Sequence, residues 1–230
     1  TGGGNNTAVG YTSEQNNTTG NGNTGMGAFS MWENTTGSRN TGLGSAALYW
    51  NVVNDNTAIG YEAGNQTYAG GFNTSVGASA LRWNQSGYAN VTVGDSSGFS
   101  MNSSSDNVYV GKSSGQNNYS NGNAFVGNYA GYKNSSGNNV FVGDSAGYNT
   151  TGTFGSVLLG YAAGASQSGN FNVAIGYYAG EKSSGFFNTI AGTRAGGSNQ
   201  ANESTFYGYF AGGRNTTGSD NSYFGTEAGG

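Results

Sequence analysis

The chain contains no cysteine, no histidine and no proline, and charged residues make up only 8% of it. Without cysteine there are no disulfides, no thiolate metal sites and no thiol nucleophile. Without histidine the commonest general base and metal ligand is missing. The seven cations, Arg39, Arg82, Lys112, Lys133, Lys182, Arg194 and Arg214, are spread singly along the sequence, and the net charge is -4. Phosphate-driven nucleic-acid binding needs clustered cations, so no nucleic-acid partner is expected. No apolar run approaches membrane-spanning length, so no membrane insertion of this segment is expected, and no leader peptide is visible.

Glycine, by contrast, is abundant at 45 residues, and Asn and Ser are frequent. Composition alone therefore suggests disordered low complexity. The register of the glycines argues otherwise. A nine-residue pattern, Asn-x-x-apolar-Gly followed by a small residue three positions later, recurs fourteen times. Clear copies are Asn56-Thr57-Ala58-Ile59-Gly60-Tyr61-Glu62-Ala63-Gly64 and Asn172-Val173-Ala174-Ile175-Gly176-Tyr177-Tyr178-Ala179-Gly180. The steps are 16 or 17 residues, and the fifth position is Gly every time, from Gly10 to Gly225. A short fixed period indicates a solenoid, in which each unit rests on its neighbours. The expected fold is all-β, a parallel β-solenoid (β-roll) of about 14 coils over residues 1–230, a single repeat array and a rod rather than a globule with a pocket. The chain opens abruptly on Thr1-Gly2-Gly3-Gly4 and stops just after a repeat, which suggests a segment of a longer fibre protein.

Each position of the coil carries an expectation. The fourth is apolar and mostly β-forming, from Val9 through Ile59, Val142 and Ile175 to Phe224. With the Thr, Val, Ala or Ser two residues earlier it shares one strand face, and both are expected to point into the coil. The fifth-position Gly ends the strand at a corner. The eighth position is always Ala or Ser, which suggests a tight interior. Polar stretches such as Asn17-Thr18-Thr19-Gly20 and Asn134-Ser135-Ser136-Gly137 read as outer turns. First-position Asn residues, stacked coil on coil, are expected to form a hydrogen-bonded ladder, with Ser156 and Ser204 as tolerated replacements.

The third position changes character along the chain, from Ala8, Gly25 and Gly42 to Tyr109, Phe125, Phe141, Phe206 and Tyr223. If the fourth position faces inward, the third faces outward and forms an aromatic stripe. An exposed apolar stripe usually marks an interface, which points to a homo-oligomer. The alternative is that the stripe packs inside a wider monomeric coil. Open sheet edges at the two ends of a stack are prone to pairing, so end-to-end self-assembly is also open.

The runs Asn172-Val173-Ala174-Ile175-Gly176 and Asn56-Thr57-Ala58-Ile59-Gly60 resemble the head repeats of YadA-like trimeric autotransporter adhesins. The longer run Asn40-Thr41-Gly42-Leu43-Gly44-Ser45-Ala46-Ala47-Leu48-Tyr49, after Asn34-Thr35-Thr36-Gly37, resembles the Asn-Thr-Ala-x-Gly repeats of phage tail-fibre-like and bacterial surface proteins. The resemblance implies a left-handed, trimeric β-roll at a cell or virion surface. The period here is longer than that of the adhesin heads, and no stalk, membrane barrel or chaperone domain is present in the sequence.

The function expected is a structural or adhesive extracellular fibre segment. Its surface would attach to a glycan or host receptor, with Tyr11, Tyr61, Tyr161, Tyr177 and Tyr209 as candidate contacts. A self-assembling filament subunit is the alternative. Ice binding is disfavoured because the Thr-Thr turns vary in length, so their Thr rows would not stay in register. Glycan cleavage needs paired carboxylates; Asp95 and Asp144 share the sixth position but lie three coils apart. No enzyme, catalytic residue, cofactor or metal site is expected, and the Gly-Gly-x-Gly-x-Asp repeat of calcium rolls is absent. Asn-x-Ser/Thr sequons, including Asn34, Asn84, Asn90, Asn102, Asn134, Asn149 and Asn202, would matter only where secreted proteins are glycosylated.

Overall fold

The computed structural model describes residues 3–229 and divides into two compact units, Thr1–Tyr119 and Ser120–Gly230. Both are parallel β-solenoids, and no helix occurs among the described residues. Each coil contributes one three-residue strand. In unit 1 these are β1 (Thr7–Val9), β2 (Thr24–Met26), β3 (Thr41–Leu43), β4 (Thr57–Ile59), β5 (Thr74–Val76), β6 (Val91–Val93) and β7 (Val108–Val110). In unit 2 they are β8 (Ala124–Val126), β9 (Val140–Val142), β10 (Val157–Leu159), β11 (Val173–Ile175), β12 (Thr189–Ala191), β13 (Thr205–Tyr207) and β14 (Ser222–Phe224). Within each unit every strand pairs with the next in parallel, motif position on motif position, as in Thr57↔Thr74 and Val173↔Thr189.

The fifth-position glycines turn the corner under two constraints at once. Gly60 and Gly176 both have φ +136°, a conformation that only Gly adopts without strain. A Cβ on Gly60 would also lie 2.5 Å from the carbonyl oxygen of Gly77, and one on Gly176 2.6 Å from that of Gly192. Beyond the corner no strand is assigned, yet the backbone ladder continues. The ninth-position N–H donates to the eighth-position carbonyl of the next coil, as in Met31 to Ala47 (2.9 Å) and Gly180 to Ala195 (2.9 Å).

The first-position ladder forms in both units, with the side-chain oxygen accepting from the next coil's backbone N–H. Asn40 N–H donates to Asn23 Oδ1 (2.9 Å) and Asn188 N–H to Asn172 Oδ1 (2.8 Å). The amide nitrogen meanwhile donates to a carbonyl of the polar turn, as in Asn23 to Gly37 (2.8 Å) and Asn172 to Gly185 (2.8 Å). Ser156 and Ser204 fit because Oγ accepts the same bond, from Asn172 N–H (3.1 Å) and Asn221 N–H (3.2 Å).

One expectation is inverted. The strand faces are the opposite of those read from the sequence: the third position is inside, and the second and fourth are outside. Tyr109, Phe125, Phe141, Leu158, Ile190 and Phe206 are all fully buried, whereas Val9, Ile59, Val142 and Ile175 are exposed. The aromatic stripe is therefore core, with Phe125 stacked on Phe141 (centroids 4.6 Å, 9°) and Phe206 on Tyr223 (5.4 Å, 14°). The physical reason is volume. The coil is narrow, and its third position faces the ninth, so the two share one space. Where the third is Gly25 or Gly42, the ninth is buried Met31 or Leu48; where the third is Phe125 or Phe141, the ninth is Gly131 or Gly147. A Cβ on Gly131 or Gly147 would strike the Phe125 or Phe141 ring. Close packing couples the two positions in these coils.

The polar turns are not wholly external either. Their Asn, at the twelfth position, points inward: Asn34, Asn51, Asn84 and Asn134 are fully buried. The Asn34 and Asn84 amides donate to Gly37 O (3.0 Å) and Gly87 O (2.7 Å), closing the turn from inside. The small eighth position is interior as expected, with Ser30, Ala47, Ala63, Ala146 and Ala179 fully buried.

Candidate functional site

The main surface feature follows from the inverted strand. Each unit presents the second and fourth positions as a continuous outer sheet face of Thr, Val, Ile and Leu in strand register. On β1 to β5 the second-position row is Thr7, Thr24, Thr41, Thr57 and Thr74. In unit 2 the row includes Val140, Val157 and Val173, flanked by Val142, Leu159 and Ile175 at the fourth position. No charged residue stands in either row of the described strands. Parallel sheets are normally covered on both faces, so this face is built like one that expects cover. The sequence shows it as an apolar row; the structure turns that row outward.

The sixth-, seventh-, tenth- and eleventh-position side chains make the second wall of the coil. The five candidate tyrosines, Tyr11, Tyr61, Tyr161, Tyr177 and Tyr209, are all sixth-position residues and all exposed. Rings run between coils on this wall. In unit 1 Trp32 meets Tyr49 (5.1 Å), which meets Trp50 (5.0 Å). In unit 2 Tyr132 stacks on Tyr148 (5.1 Å, 8°) and Tyr161 on Tyr177 (5.3 Å, 16°). Arg82 lies 5.5 Å from the Trp83 ring and 5.7 Å from the Phe99 ring, and pairs with Glu62 at 2.9 Å. The Tyr178 phenol is held above its usual range, chiefly by its hydrogen bond with Tyr161.

Among the described residues no group of three or more acidic side chains could hold a metal ion. Asp95 and Asp144 fall in different units. Arg39 and Asp55 form a two-point pair on the surface, Nε to Oδ1 2.6 Å and Nη2 to Oδ2 2.7 Å, and this hydrogen bonding holds the Asp55 carboxyl below its usual range. Of the sequons, Asn34, Asn84, Asn90 and Asn134 are fully buried and cannot carry a glycan in the folded coil; Asn102, Asn149 and Asn202 are exposed.

The cations are less scattered in space than in sequence. Lys182, Arg194 and Arg214 line one groove in unit 2. No family model matches the chain, and no curated protein matches it.

Proposed function

We propose that the chain is a structural and adhesive segment of an extracellular fibre whose protomers associate through the outer sheet face. The observation that carries this reading is the uncharged, in-register row pair on the strands, with Ile59, Val126, Val142 and Ile175 each about two-fifths exposed in a single chain. A contiguous face of this kind is an interface signature. It replaces the third-position stripe as the contact surface. The resemblance to YadA-like heads makes a left-handed roll of three copies the expected arrangement. The exposed aromatic wall remains free to display contacts to a surface glycan.

The test is the absolute mass in solution by light scattering over a concentration series, for the native chain and for Val142→Lys with Ile175→Lys. The reading expects a fixed multiple of the chain mass, reduced to one chain by the lysines. One chain at every concentration for the native protein overturns it, and open-ended growth favours the filament alternative.

Ice binding gains one specific support. The regular Thr row lies on β1 to β5, where backbone register fixes it, rather than in the variable turns. Thermal hysteresis no greater than that of a control protein removes this second reading.

A further inference from the structure

The tenth position of the coil is bulky over much of the chain: Trp32, Tyr49, Arg82, Phe99, Tyr132 and Tyr148 occupy it. Its side chains pack beside those of the seventh position, as in Phe29 against Trp32 (6.4 Å) and Tyr129 against Tyr132 (5.8 Å). In two successive coils of unit 2 the tenth position is instead Gly197 and Gly213. Removing two neighbouring side chains from this wall opens a groove of ≈ 390 Å³. A second hollow of ≈ 440 Å³ adjoins it and shares Phe210 and Arg214 with it.

We propose that this groove is a binding subsite for a carboxylate-bearing saccharide, a chain of uronate type. Three of the seven cations, Lys182, Arg194 and Arg214, line it. None of the three has an ion-pair partner among the described residues. Guanidinium groups match a carboxylate in two-point geometry. Tyr177 supplies a flat wall. One side of its ring stacks on Tyr161, Tyr178 meets the two rings edge-on (4.6 Å from Tyr177), and the next coil carries Thr193 at the same position, so no further ring continues the stack. Tyr178, Ser198 and Glu181 add hydroxyl and carboxylate groups able to hydrogen-bond sugar hydroxyls.

The choice of saccharide over an acidic peptide rests on hydroxyl groups. Glu181 and Glu227 line the two hollows together with the three cations. Both ligands carry a carboxylate on each residue, but a glutamate oligomer brings no hydroxyl groups to set against these two acceptors. Toward a sugar they act as hydroxyl acceptors. Shallow, partly polar hollows with aromatic walls suit a ligand that is itself polar with flat apolar faces. The inference deepens the attachment part of the proposed function and rests on it.

The test titrates the full chain with a trigalacturonate, with its methyl ester and with a glutamate oligomer of equal charge, by calorimetry at about 0.15 M salt. Trigalacturonate alone is expected to bind. Gly197→Tyr is the decisive variant. Gly197 has no positive φ, a Cβ there meets only Arg194 O at 3.6 Å, and Tyr132 and Tyr148 already occupy this position in other coils. It should fold normally, keep the native mass in light scattering, and lose at least tenfold in affinity. Arg214→Gln should lose a similar factor. Equal binding of the glutamate oligomer or the methyl ester overturns the proposal, as does absence of trigalacturonate binding or native affinity in Gly197→Tyr. A native chain that forms the expected oligomer but does not bind trigalacturonate sinks only this inference. A monomeric native chain that still binds trigalacturonate sinks only the association reading.

Discussion

Coils 2, 3 and 5 of unit 1 put Gly25, Gly42 and Ser75 on the strand and Met31, Leu48 and Leu81 on the facing wall; coils 8, 9 and 13 of unit 2 put Phe125, Phe141 and Phe206 on the strand and Gly131, Gly147 and Gly212 opposite. The same narrow space is filled from opposite sides. The two solutions carry different backbone costs. Met31, Leu48 and Leu81 sit at φ +50°, +50° and +52°, a left-handed conformation that L-residues adopt at a cost, while unit 2 has Gly at this point in every coil. Unit 2 avoids that strain, and its rings stack from coil to coil. In these six coils one bulky residue fills the shared space from one side or the other, whereas Ala58 with Gly64 and Ala174 with Gly180 are small on both sides and are filled by Leu48 and Ile190 of the adjoining coils.

The largest expected effect comes from breaking that arrangement. Gly147→Leu adds a side chain where its Cβ would strike the Phe141 ring, and puts a branched residue at φ +58°. Overpacking and left-handed strain together should cost about 3 kcal/mol or more. Phe141→Gly alone empties the coil and should cost about 3–5 kcal/mol. The double variant rebuilds the arrangement of coil 3, Gly42 with Leu48, and should recover about 2–3 kcal/mol relative to the sum of the two. Chemical denaturation of the four proteins measures this coupling. Simple additivity would mean that the two units do not share one packing rule.

That rule also explains what the sequence made legible and what it hid. The period, the Gly corner, the small eighth position and the Asn ladder all follow from stacking, and stacking writes itself into every repeat. Which strand face is inside does not. Alternation fixes that Thr57 and Ile59 share a side opposite Ala58, and nothing more. The largely β-branched rows read as core, but they are the surface of a sheet, where branched residues suit the pleat. The deciding signal was the exchange of Gly42 with Leu48 for Phe141 with Gly147, visible only when the third and ninth positions are compared as a pair. The unit 2 groove was hidden for a related reason. Lys182, Arg194 and Arg214 look isolated in a line, and Gly197 and Gly213 look like two more glycines among many. Wrapped at 16 residues they fall side by side.

A smaller effect sharpens the comparison at the ladder. Asn172→Ala leaves the Asn188 N–H and the Gly185 carbonyl without partners inside the coil, a loss of about 1–3 kcal/mol. Asn172→Ser keeps the acceptor, as Ser156 and Ser204 do, and should cost less than half as much. In unit 1 the same change should be less forgiving. The Asn56 amide donates to both Asn51 Oδ1 (3.0 Å) and Gly70 O (3.1 Å), and its oxygen also accepts from the Asn73 amide (3.2 Å). Asn56→Ser therefore loses a network, and the gap between Asn56→Ser and Asn172→Ser in thermal melts reads its worth. Equal losses at the two sites would place the stabilisation in the single backbone bond common to both.

The ninth position of coil 1 gives the smallest effect and the clearest sign. It holds Glu14, a buried carboxylate in the row where coils 2, 3 and 5 place Met31, Leu48 and Leu81. Among the described residues Oε1 has no hydrogen-bond partner, and Oε2 accepts only a long bond from the Asn17 amide, 3.4 Å. Loss of hydration pushes its pKa up, against the smaller opposing pull of Asn17. The folded state then holds the proton more tightly than the unfolded chain does. The group's favourable contribution is complete below the unfolded carboxylate pKa and is lost as pH rises through the raised folded value. Glu14→Gln cannot ionise, so it should melt higher than the native chain at neutral pH and match it at acid pH. All ninth positions of unit 2 are Gly, so hydrogen exchange should place the pH-dependent gain in unit 1. A gain that persists unchanged into acid would trace to amide bonding rather than to the buried charge.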